Sequence, residues 1–216
     1  MKVISHRGYW KEEQEKNSKL AFIRSFDLDF GTETDVRDFD GELVISHDIA
    51  DRKAIKFKDF LDVLSKYNDG LTLALNIKSD GLASQILKDI ESSSVSQHDF
   101  FVFDMSIPDM KSYIDSGAVP VFTRMSDVET KPAWLEESNG IWLDSFSDEW
   151  YSSKELVDIL SIGKQVCIVS AELHKRDPGP QWEVLKEFVN YENLILCTDL
   201  PEDATSFFFD NYGAIK

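Results

Sequence analysis

Eight short apolar runs, separated by stretches with helix-period apolar spacing, constrain this 216-residue chain more than any other feature. The runs fall at 3–6, 32–36 together with 43–46, 71–77, 100–103, 119–122, 140–143, 165–170 and 194–197. Helical periodicity marks 18–26, 57–67, 82–90, 110–116, 153–160, 182–191 and 202–209. The stretch 128–138 is the weakest of these helices, with Pro132 in its first turn. Strands alternating with helices are the signature of parallel β/α units. No repeat, low-complexity tract or linker interrupts the pattern, so the expectation is one α/β domain over residues 1–216, an eight-stranded β/α barrel near the lower length limit of that architecture.

Two of the runs end in histidine. Val3-Ile4 leads into Ser5-His6-Arg7-Gly8, and Leu43-Val44-Ile45 leads into Ser46-His47-Asp48. Strand ends are where such folds keep their chemistry. Between them lies Glu33-Thr34-Asp35-Val36-Arg37, and pleated alternation puts Glu33, Asp35 and Arg37 on one strand face. Two carboxylates side by side repel unless a cation lies between them, and paired acidic oxygens are what a hard divalent metal needs. Gly8 and Gly31 permit tight turns in the same region.

The formal net charge is −17, from 23 basic and 40 acidic residues. Such a surface repels nucleic-acid backbones and anionic lipids, so no nucleic-acid partner is expected. An anionic substrate then depends on local positive charge, which Arg7, Arg37 and Lys78 supply together with a metal. Met1-Lys2 runs directly into the first strand with no signal sequence, and no apolar run approaches the roughly 20 residues of a membrane span. Cys167 and Cys197 sit inside apolar runs as core thiols, without metal or redox spacing. Cytoplasm is the expected compartment.

His6-Arg7-Gly8, Asn17, Glu33-x-Asp35, Asp40-Gly41 and His47-Asp48 together resemble the glycerophosphodiester phosphodiesterase family. The resemblance continues through Leu75-Asn76-Ile77-Lys78, where the family usually has Glu-x-Lys, to Thr198-Asp199-x-Pro201. It implies a TIM barrel of the PLC-like phosphodiesterase type, cleaving a small-molecule phosphodiester with one divalent metal, Mg2+ or Ca2+. By that resemblance His6 and His47 are the catalytic acid and base, with their order left open. Arg7 and Lys78 hold phosphate oxygens, Asn17 positions the loop around them, and Glu33, Asp35 and Asn76 hold the metal. A neighbouring substrate hydroxyl attacks phosphorus, and water then opens the cyclic phosphate. A related lyase outcome stops at the cyclic product, as in phospholipase D toxins similar to this family.

Two departures separate this chain from the pattern. Asn76 replaces a metal-binding glutamate with a neutral amide oxygen, which is compatible either with a weaker, active metal site or with a phosphodiester-binding protein that has lost catalysis. The sizeable insertion usual after His47 is absent, which makes this a short member with an uncovered mouth. Glu172-x-His174-x-Arg176, beyond the seventh strand, is expected to form a wall of the substrate pocket. Asp104, Arg124 and Asp144 follow other strands as loop or capping residues, and Trp142 and Trp182 belong to the core.

Overall fold

The computed structural model describes residues 1–68, 70–117 and 119–209. The chain folds as two compact units, residues 1–5 with those from Phe122 onward, and His6–Val121. Strand β1 (Lys2–His6) contributes its first four residues to one unit and His6 to the other.

In the unit His6–Val121, Ser18 caps helix α1 (Lys19–Phe26) by accepting a hydrogen bond from the Ala21 amide. Strand β2 (Gly31–Phe39) turns back through Asp40 and Gly41, both at positive φ, into antiparallel β3 (Glu42–Ile45). After His47 a short connection leads to β4 (Ile55–Lys56), which pairs with β3, and directly into α2 (Phe57–Leu64). Strand β5 (Thr72–Ile77) lies parallel to β2, with Asp35 opposite Asn76. Helix α3 (Ala83–Glu91), β6 (Asp99–Phe103) and α4 (Ile107–Ser116) complete the unit, and β6 pairs parallel to β5. Phe22, Phe26, Phe57 and Phe60 pack with the leucines of α2 and β5 in its core, Phe22 and Phe60 edge to face at 4.8 Å. Gly31 is required by close approach, not by a turn, because a Cβ there would stand 2.1 Å from the Thr72 carbonyl oxygen of β5.

The other unit places β7 (Phe122–Met125), β8 (Gly140–Leu143), β9 (Gln165–Val169), β10 (Leu194–Thr198) and β1 in a parallel sheet, in that order. Helices α5 (Ser153–Leu160), α6 (Gly179–Leu185) and α7 (Pro201–Phe209) alternate with these strands. Leu143, Leu156, Ile168, Trp182, Leu185 and Phe208 are among the side chains of a second core confined to this unit. Cys167 and Cys197 are buried thiols, and Trp142 is buried as expected.

Two expectations are corrected. The strand expected at 119–122 begins only at Phe122, with Val121 forming a single bridge to Val102. The stretch 128–138 forms turns instead of a helix. Trp134 adopts φ 54°, a left-handed backbone that ends any α-helical run. The alternating β/α order is otherwise the one expected.

Candidate active site

Strand β2 carries four consecutive buried polar residues, Thr32, Glu33, Thr34 and Asp35, none more than 1% exposed. Polar groups enter a core at a cost unless they are paired, so their partners define the site. Arg7 and Gly8 both have positive φ, and this bend brings the loop after β1 onto β2. There the Arg7 amide donates to the Glu33 carbonyl oxygen (2.9 Å) and to Glu33 Oε2 (3.2 Å), and the Gly8 amide to Thr32 Oγ1 (2.8 Å). A side chain at Gly8 would also meet Ala21 Cβ at 2.7 Å, which adds a second reason for glycine.

Asp35 is the centre of the cluster. Arg7 Nε stands 3.0 Å from its Oδ2 and Lys78 Nζ 3.3 Å from its Oδ1. Asn17 Nδ2 donates to Oδ2 at 2.8 Å, while Asn17 Oδ1 accepts from Thr34 Oγ1 at 2.8 Å. Thr34 therefore fixes the orientation of the Asn17 amide, a role that strand alternation alone does not reveal. Its only sequence signal is a position between the two carboxylates. His6 Nε2 lies 3.8 Å from Glu33 Oε2. Burial, and then the Asp35 charge, push the Glu33 carboxyl up to about 7, against the pull of His6, Arg7 and Lys78.

His47 follows β3 on an exposed turn, where its Nδ1 lies 2.9 Å from Asp48 Oδ1. The Ser46 amide donates to the Asp35 carbonyl oxygen at 3.0 Å, tying that turn to β2. Arg37 donates to the Asp48 carbonyl oxygen and braces the same turn. A cavity of about 540 Å³ is lined by Arg7, Asn17 and His47, with Lys16, Ile49 and Lys53 among its other walls.

Among the described residues, no cluster of three or more His, Cys, Asp or Glu side chains is suited to a metal ion. The available set is two carboxylates and one amide. Asn76 is 8% exposed and sits beside Asp35 in register. Its Oδ1 is buried without a hydrogen-bond partner, and Asp35 Oδ1 likewise accepts no hydrogen bond. The partnerless Asn76 oxygen, in register with Asp35, and the carboxyl oxygens of Glu33 and Asp35 are the donor type that a hard divalent cation such as Mg2+ or Ca2+ takes.

Glu172, His174 and Arg176 lie in the other unit. Glu172 accepts hydrogen bonds from Ser170 Oγ, Thr198 Oγ1 and the Asp199 amide, joining the ends of β9 and β10. His174 Nε2 lies 2.7 Å from Asp144 Oδ1. Arg176 reaches Glu149 Oε1 and the Ser145 carbonyl oxygen, each at 2.6 Å.

No family model matches the chain. No curated protein sequence matches it either. Solved structures do. A glycerophosphodiester phosphodiesterase from Agrobacterium tumefaciens str. C58 is similar with a TM-score of 0.62 at 15% identity, covering 96% of this chain and 99% of that one. A phosphoribosyl anthranilate isomerase from Thermus thermophilus gives 0.57 at 10% identity over the full length of both chains (100% and 100%). The tryptophan synthase complex from Pyrococcus furiosus gives 0.53 at 14%, covering 96% and 93%. Likeness at such identities is a statement about fold, and the fold it establishes is the α/β TIM barrel.

Proposed function

We propose that this chain is a divalent-metal-dependent phosphodiesterase acting on a glycerophosphodiester-like small molecule. The observation that carries the reading is the convergence of Arg7, Lys78 and Asn17 on buried Asp35, with His6 beside Glu33. Two cations anchored by a buried carboxylate keep their remaining donors available for phosphate oxygens. A divalent cation on Glu33, Asp35 and Asn76 supplies further neutralisation of phosphate charge when bound.

The histidines then move the protons. One imidazole accepts the proton of the attacking hydroxyl as its oxygen bonds to phosphorus. The other donates a proton to the departing alcohol oxygen as that P–O bond breaks. If the attacker is a neighbouring hydroxyl of the substrate, the product is a cyclic phosphate, and water opens it with the two roles exchanged. Imidazole suits both roles near neutral pH. Asp48, adjacent to His47 Nδ1, holds that ring in orientation.

The test is turnover of a panel of phosphodiesters by chelator-treated protein, with Mg2+, Ca2+ or Mn2+ restored. Metal-restored cleavage supports the reading, and full activity in stripped protein contradicts the metal requirement. Asn76 favours a second reading, a binding protein without catalysis, because its amide brings no charge to the metal. Any turnover that depends on His6 excludes it.

A further inference from the structure

The charges around Asp35 limit which phosphodiester suits this site, given the phosphodiesterase reading above. Arg7 and Lys78 both lie against Asp35, so the carboxyl groups of Glu33 and Asp35 face at least as much fixed positive charge as negative. A carboxylate at position 76 would lower the charge facing an anionic substrate by one unit, with or without a bound metal. Asn76 stands there instead, in register with Asp35, with an unpaired neutral oxygen. The site therefore accepts one more unit of ligand charge for the same electrostatic total.

The cavity offers a place for that charge. At about 540 Å³ it holds more than a phosphate group and falls in the range of small-molecule pockets. Lys53 lines it and presents an ammonium with no ion-pair partner among the described residues. Of the acidic residues in the same wall, two lie beside basic side chains and the third, which keeps its charge, faces the Lys53 backbone. Glu13 lies 3.9 Å from Lys16, Asp48 lies 2.9 Å from His47, and Asp51 Oδ1 accepts the Lys53 amide at 2.8 Å.

We propose that the preferred substrate is a phosphodiester whose second alcohol carries its own anionic group, received by Lys53. The test compares two diesters that share glycerol and a two-carbon linker and end in phosphate or in trimethylammonium, the latter being glycerophosphocholine. Two readouts are taken, kcat/KM with the wild-type protein and Kd by calorimetry with His6→Ala protein. Both should favour the phosphate-ended diester by at least about tenfold, since the two end groups differ by about three unit charges and solvent screening leaves only part of that difference. Asn76→Glu should shift the ratio back by a similar factor. Because Lys53 is exposed, Lys53→Met should narrow the ratio by only about two- to fivefold, and Lys53→Arg should preserve it.

Cleavage and binding that favour the trimethylammonium diester, or that do not distinguish the two, overturn the proposal while leaving the phosphodiesterase reading intact. Tighter binding of the phosphate-ended diester with no cleavage of either compound supports the charge preference and overturns the catalytic reading. Absence of both binding and cleavage overturns both.

Discussion

The two units treat polar residues at strand ends in opposite ways. In the unit His6–Val121, Asn76 Oδ1 and Asp35 Oδ1 are buried without hydrogen bonds, and Glu33 is destabilised as an anion by burial and by Asp35. In the other unit, Glu172 is engaged by three donors. Asp144 Oδ1 faces His174 and also accepts the Ser145 amide, and Gln181 bonds to Ala171, Tyr151 and Val169. Ser145 Oγ and Arg176 Nε are the exceptions there. Density of polar residues after a strand is therefore a poor marker of a site. A partnerless buried oxygen beside fixed cations, as at Asn76, is a better one, because it gains a partner only when something binds.

Substitutions can break this comparison. The largest effect is expected at the histidines, where His6→Ala and His47→Ala should each lower kcat by about a hundredfold to ten-thousandfold in folded protein. His174→Ala should lower it by less than about tenfold, which a general acid–base group would exceed. Steady-state kinetics on one cleaved diester check all three, and an equal loss at His174 would invalidate the histidine assignment.

Stability should separate the units next. Glu172→Ala strands three donors and should cost about 1–3 kcal/mol in chemical denaturation. Asn76→Leu removes an oxygen that has no partner, so stability should stay within about 1 kcal/mol of wild type while activity falls. A large destabilisation by Asn76→Leu would mean that Asn76 is an ordinary structural amide.

Much of the first site was legible in the sequence because its residues lie on short, adjacent segments. Two-residue alternation was enough to put Glu33 and Asp35 together, and parallel register with β5 brings Asn76 and Lys78 alongside. The Glu172 network was not legible, since Thr198 and Asp199 are 26 and 27 residues away and meet it only through the pairing of β9 with β10. The failure at 128–138 has a local cause, as apolar spacing carries no signal for the left-handed backbone at Trp134. At Gly31 it is close packing, not a turn, that demands glycine. Its constraint is the Thr72 carbonyl oxygen of a strand some forty residues later.

The smallest expected effect concerns the metal. Because its amide brings no charge, Asn76 should weaken binding relative to glutamate. Asn76→Glu should therefore reach half-maximal thermal stabilisation at a lower Mg2+ or Ca2+ concentration than wild type. Equal midpoints would place Asn76 outside the metal's coordination.

The most direct test of the central claim follows a glycerophosphodiester by phosphorus NMR with chelated protein, with metal restored, and with His6→Ala under the restored condition. The account predicts a new phosphomonoester or cyclic phosphate signal only for wild type with metal present. No new signal under any condition, or the same signal from chelated protein, would contradict it.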